Sequence, residues 1–325
     1  MRFKRLAIFL VVIFAILTYI LWLSEEPNVP DRGSTPGSAS SADPANPVNH
    51  PDSADAGSTG ETPLSYYVYN IQTNKVIAYQ NQDLQRAPAS TTKLLTGLVV
   101  IDAWDLDEII TVHDEVRVDG SGLGLAPGDK ISLNQLLTAM YLVSANDAAT
   151  ALAVKAAGSI DEFSEYMNEY ATKIGCTGSH FSNPHGLPDP DHYTTAQDMA
   201  KIAGQFIKDE RLLALAQTKT ATIRWQNQNG QTRSAQISNT NQLLGVYPGV
   251  AGLKTGTTTE AGQCLVTYFK HQDAALLVVV LGAKQRYQTT LPLLDQAVQT
   301  EVLTQDTLTN LSKNPAAWLD YPGIY

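Results

Sequence analysis

The sequence predicts an α+β fold: an antiparallel sheet flanked by helices, with a helical subdomain inserted between its halves, behind one N-terminal membrane helix. Three observations support this. Strand-like alternation marks both ends of the folded part, apolar stripes at helical spacing fill its middle, and an uncharged apolar run opens the chain.

The opening run comes first. Arg2, Lys4 and Arg5 precede Leu6 to Leu23, 18 residues without a charge. At ~1.5 Å per residue these nearly span a hydrocarbon core of ~30 Å. The basic residues hold their end in the cytoplasm, so the rest is expected outside, as the extracytoplasmic part of a single-pass cell-membrane protein. Leu23-Ser24-Glu25-Glu26-Pro27 offers no small-residue cleavage site, which favours residues 1–23 as an uncleaved anchor over a signal peptide whose removal would release the domain. Residues 24–63 are dominated by Ser, Pro, Gly, Ala, Asp and Asn and read as a flexible linker. Residues 64–303 form the folded unit, and 304–325 a short C-terminal tail.

Within that unit, Ser65 to Ile71 and Val76 to Ala78-Tyr79, turning at Thr73-Asn74-Lys75, predict a β-hairpin. Gln263 to Phe269 and Ala275 to Leu281 predict a second one, joined through His271-Gln272-Asp273, and both hairpins are assigned to one sheet. A further strand ends at Gly252 to Gly256, and a helix follows over Leu291 to Leu303. The middle reads as helical. Leu94, Leu95, Leu98 and Val99 form a stripe, Ser132 with Gln135 makes a capping box for Leu133 to Val143, and Ala148 to Ala157 stops before Gly158. Helices are also expected at Ile160 to Lys173 and, capped by Thr195, at Ala196 to Ile207. A local hairpin over Thr220 to Ile237 turns on Asn229-Gly230.

Composition narrows the function. A net charge of −10 leaves no basic footprint for nucleic acid. Cys176 and Cys264 stand in no metal-ligand spacing; outside the membrane the two could pair, and two buried free thiols are the expected state. The residues show no metal-ligand cluster or cofactor motif.

Three short motifs carry the chemistry: Ser90-Thr91-Thr92-Lys93, Ser144-Ala145-Asn146 and Lys254-Thr255-Gly256. A serine hydroxyl needs a base at hydrogen-bond distance to act as a nucleophile. On a helix beginning near Ser90, Lys93 lies on the same face. Burial and a second cation, Lys254, would lower its pKa enough for it to accept a proton. The plain alternative is an N-cap serine with a solvated lysine, and the apolar residues after Lys93 argue against it. Ser144 would relay a proton to the leaving amine, and Asn146 would hold the substrate's amide; the alternative is an ordinary helix terminus. Lys254 and Thr255 alternate faces, so only one reaches a substrate carboxylate directly unless the other reaches around the strand edge. Gly256 permits close approach of a substrate backbone. The N–H groups of Thr257 and Ser90 would form an oxyanion hole. A strand-to-turn exit is the plain reading of this third triplet.

Together the motifs resemble the low-molecular-mass penicillin-binding proteins that are serine-type D-alanyl-D-alanine carboxypeptidases. The resemblance extends to Ala87-Pro88-Ala89, Gly122 to Leu125 before Gly128-Asp129, Phe181 to Pro188, Asn239 to Leu244 and Gly252-Leu253. It implies a β-lactamase/transpeptidase-like fold and removal of the terminal D-Ala from peptidoglycan stem pentapeptides, a reaction that needs neither a metal nor a cofactor, with β-lactams acylating Ser90. It also implies a carboxylate-binding role for Lys254, Thr255 and Arg286, and supporting places for His185 and Asp198, although a histidine that merely fixes its own loop fits His185 equally well. Family members commonly carry a β-rich second domain and an amphipathic C-terminal anchor, for which 304–325 is too short. Rival readings are a class A-like β-lactamase, whose Glu-x-x-Leu-Asn loop is missing after Ser144, and a non-catalytic wall-binding protein of the same fold.

Overall fold

The computed structural model describes residues 63–302 except 103–104 and 272–273. Among the described residues no helix is long and apolar enough to cross a membrane; the run Leu6 to Leu23, the linker and the tail lie outside them.

The main sheet joins the two ends of the domain. Strands β1 (Ser65–Asn70) and β2 (Lys75–Gln80) form the first hairpin, and β7 (Val250–Thr258), β8 (Gly262–His271) and β9 (Ala274–Ala283) follow 170 residues later in the order β2-β1-β9-β8-β7, all antiparallel. Strand β9, AALLVVVLGA, is buried along its whole length, which a central strand covered on both faces requires. The joining residues of the second hairpin fall at the undescribed 272–273.

Between the sheet's halves lie the helices: α1 (Lys93–Val100), α2 (Leu133–Leu142), α3 (Asn146–Ala157), α4 (Ile160–Lys173), α5 (Ala196–Phe206) and α6 (Glu210–Gln217). Ser132, Ser159 and Thr195 cap α2, α4 and α5, each accepting a backbone N–H three residues on. The capping box at α2 is half made: Gln135 turns its side-chain oxygen to the Arg224 N–H instead of back to Ser132. The last helix, α7 (Arg286–Glu301), starts five residues before the expected Leu291, with Pro292 in its interior.

The hairpin β5 (Thr220–Gln226) and β6 (Thr232–Ser238) turns around Asn229-Gly230 as expected but is not local. It joins β3 (Ile109–Thr111) and β4 (Lys130–Ser132) in a second sheet, order β3-β4-β5-β6. Three-residue strands are too short to show a period of two, so β3 and β4 leave no sequence signal. Two apolar clusters result. The larger fills the space between α1, α2, α3, α5 and one sheet face; the smaller packs α7 on the other face.

Candidate active site

The nucleophile segment enters as a 3-10 turn, Ala89–Thr92, and becomes α-helical at Lys93. This corrects the expected α-helix from Ser90. In a 3-10 turn residues i and i+3 eclipse, which serves the same end more tightly: Lys93 Nζ lies 3.0 Å from Ser90 Oγ. Lys93 is fully buried, and its amine also donates to Asn146 Oδ1 and to the His185 carbonyl oxygen, each at 2.7 Å. Burial pushes its pKa well below the ordinary lysine range, the Lys254 cation pushes it further, and Asp147 opposes both. A neutral amine has two hydrogens and one lone pair. In that form, with both hydrogens on the two carbonyl oxygens, the lone pair would face the Ser90 hydroxyl.

Ser144 follows the end of α2 in a left-handed conformation, φ +62°. Its hydroxyl is buried, has no hydrogen-bond partner among the described residues and lines the same cleft as Ser90. Asn146 is engaged at both ends, its Nδ2 donating to the Asp119 carbonyl at 2.6 Å. It therefore holds Lys93 against the 119–125 stretch, where the sequence suggested a ligand for the substrate's amide. The neighbouring Asp147 was not singled out from sequence. Its carboxylate accepts the N–H groups of Leu123, Gly124 and Leu125 at 2.8 to 3.0 Å and so fixes that stretch over the cleft.

Strand β7 is the sheet edge beside the nucleophile turn. Gly256 is required there: a Cβ would sit 2.9 Å from Ser90 N and 3.1 Å from the Pro88 oxygen. Thr255 lines the cleft and shares a 2.7 Å hydrogen bond with Thr240 Oγ1. Lys254 does not line the cleft. It is buried, and its amine donates to the Thr255 carbonyl at 3.0 Å. Two residues apart on a strand, it shares a face with Gly256, the face turned to Ser90. Burial, reinforced by Arg286, lowers the Lys254 pKa to about 7. Arg286 closes the cleft's end at the start of α7, donating to the Gly256 and Cys264 carbonyls at 2.9 Å and to Thr257 Oγ1.

The two supporting residues divide. His185 contributes its carbonyl to Lys93 and uses its ring on its own loop, where Nδ1 accepts the Leu187 N–H at 3.2 Å. Burial, with the Lys93 charge adding to it, pulls that ring down to about 3. Asp198 touches none of the motif residues. It holds Gly178 N–H, Ser179 Oγ and Lys201 Nζ at the start of α5. Both cysteines are free and buried, as expected. Among the described residues no group of His, Cys, Asp and Glu is placed to hold a metal.

An α+β domain with a buried lysine against a serine hydroxyl, a second hydroxyl in the same cleft and an arginine closing the cleft's end has the arrangement that acyl transfer through a serine requires. The chain belongs to the Peptidase S11 family, D-alanyl-D-alanine carboxypeptidase, whose model matches residues 58–285. It is 34% identical over 234 residues to the D-alanyl-D-alanine carboxypeptidase DacF of Bacillus subtilis, covering 69% of this chain and 59% of that one. It is 36% identical over 233 residues to DacC of Escherichia coli, covering 68% and 56% respectively. The chain thus spans less than two thirds of the length of these curated relatives. The crystal structure of the Streptomyces K15 DD-transpeptidase superposes with a TM-score of 0.65 at 30% identity, covering 70% of this chain and 93% of that one.

Proposed function

We propose that this protein is a serine-type D-alanyl-D-alanine carboxypeptidase that trims the terminal D-Ala from peptidoglycan stem pentapeptides. The observation that carries this is the buried Lys93 amine held 3.0 Å from Ser90 Oγ by the Asn146 Oδ1 and His185 carbonyl oxygens. Ser90 Oγ attacks the carbonyl carbon of the D-Ala-D-Ala bond as its proton passes to Lys93 Nζ. That proton then moves by way of Ser144 Oγ to the departing D-Ala nitrogen, and water hydrolyses the ester left on Ser90. The N–H groups of Ser90 and Thr257 face the developing oxyanion, and Thr255 with Arg286 receives the terminal carboxylate, backed by the Lys254 charge.

Among the described residues, the side chains that line the cleft include no carboxylate to activate a deacylating water, and Glu165 and Glu169 line a separate groove on α4. Penicillin is therefore expected to form a long-lived adduct on Ser90. Stopped-flow and intact-mass measurement of its lifetime tests this; rapid turnover would move the protein to the β-lactamase class. The anchor reading, supported by the Arg2, Lys4, Arg5 and Leu6 to Leu23 pattern, places the domain outside the cell membrane. Recovery of the full chain in the soluble cytoplasmic fraction would refute it.

The pH profile follows from Lys254. It is charged below its pKa of about 7 and neutral above, so attraction of the substrate carboxylate weakens as pH rises through that value. The plot of kcat/KM, which reports the free enzyme, is expected to fall on an alkaline limb near pH 7. Lys254→Arg, charged throughout, is expected to move that limb upward; an unmoved limb would assign it to another group.

A further inference from the structure

Ala89, immediately before the nucleophile, is left-handed with φ +48°. A residue with a Cβ keeps that conformation only where its neighbours impose it. Here the hold runs through two side chains. Thr92 Oγ1 donates to the Ala89 carbonyl oxygen at 2.9 Å, and His192 Nε2 lies 2.8 Å from the same hydroxyl. The tautomer follows from the other side of the ring: His192 Nδ1 accepts the Ser182 N–H at 3.0 Å, so the proton sits on Nε2. Thr92, having given its one hydrogen to Ala89, accepts it. His192 is buried, with Phe181 edge-on at a centroid distance of 5.5 Å. Burial brings its pKa down to about 4 against the opposing charge of Asp189, so the neutral tautomer holds at ordinary pH.

The peptide joining Ala89 to Ser90 gives this chain its consequence. In a planar trans peptide the C=O and the N–H point in opposite directions. Holding the Ala89 oxygen toward Thr92 and the interior turns the Ser90 N–H the other way. That is where β7 lies: the Cβ position of Gly256 is 2.9 Å from Ser90 N, and Ser90 and Gly256 both line the cleft. We infer that His192, acting through the Thr92 hydroxyl on the Ala89 carbonyl, is a positioning residue that aims the Ser90 N–H as an oxyanion donor. The inference rests on Ser90 being the acylated serine. The same loop supports it at further points. Thr194 exchanges two backbone hydrogen bonds with Arg86, at 2.7 and 2.9 Å, and the Pro184 carbonyl accepts Thr96 Oγ1 at 2.6 Å.

The test is pre-steady-state acylation by a fluorescent penicillin, resolved into noncovalent binding and the covalent step, with the melting midpoint measured alongside. Thr92→Val keeps the shape and removes the hydroxyl. It is expected to slow the covalent step about 10- to 100-fold with binding unchanged, as partial loss of one oxyanion donor would. Thr92→Ser, which keeps the hydroxyl, is expected to restore it. Should Thr92→Val not fold, the His192 pair decides: a Gln amide N–H reaches the Nε2 position and an Asn amide only the Nδ1 position, so His192→Gln is expected within about threefold of wild type and His192→Asn well below. Thr92→Val acylating at the wild-type rate, or Gln and Asn slowing the step equally, would overturn the inference. A wild-type protein that penicillin never acylates would instead count against the proposed function.

Discussion

Lys93→Ala is expected to slow acylation of Ser90 by penicillin about a thousand-fold, within the ~10²–10⁴ that positioned general bases contribute. Three features of the structure make this loss larger than that of an ordinary surface lysine. The amine is the group the structure places on Ser90 Oγ, at 3.0 Å. It is fully buried, so bulk water has no easy route to replace it as proton acceptor. Its low pKa has two causes, burial and the Lys254 charge, and both belong to the site. The variant also leaves Asn146 Oδ1 and the His185 carbonyl without their common donor. Labelling by a fluorescent penicillin, followed over seconds to hours, checks the result. Undiminished labelling would remove Lys93 from the role of base.

Gly186→Ala is expected to damage both the fold and the site. Gly186 has φ +85°, and a Cβ there would sit 1.9 Å from the Ala89 carbonyl oxygen, 2.4 Å from its carbon and 2.9 Å from Thr92 Oγ1. The neighbouring atoms are mostly backbone and cannot swing aside. The left-handed conformation costs a side-chain-bearing residue about 1–2 kcal/mol. Overpacking adds about 1–3 kcal/mol. For a domain of this size the total, roughly 2–5 kcal/mol, lowers the melting midpoint by about 4–20 °C. Because the clash falls on the residue before the nucleophile, acylation is expected to slow as well. Calorimetry with a penicillin-labelling time course reads both effects; a midpoint unchanged within a degree would show that the loop relaxes freely.

Much of this was legible from residues alone. The two hairpins of the main sheet, the helices capped by Ser132 and Thr195, the helix over Ile160 to Lys173 and the three motifs all carry local chemistry that sequence displays. What stayed hidden depends on long-range closeness or on backbone states that leave no mark. Ala89 and Ser144 are left-handed without being Gly or Asn, so nothing in the sequence announces them. His192 is a hundred residues from Thr92, and only the fold brings its ring to that hydroxyl. Asp147 adjoins a motif residue, yet its partners Leu123 to Leu125 precede α2. The face used by Lys254 could not be read from alternation alone, because the edge strand carries functional residues on both sides. The structure turns Lys254 inward toward Ser90 and gives the cleft to Thr255 and Arg286.

The most direct measurement is release of D-Ala from a synthetic stem pentapeptide ending in D-Ala-D-Ala, quantified by mass spectrometry with Ser90→Ala as control. The predicted result is stoichiometric D-Ala and tetrapeptide from the native protein and neither from the variant. Equal release from both would show that Ser90 is not the nucleophile, and release from neither would leave a binding protein built on a peptidase fold.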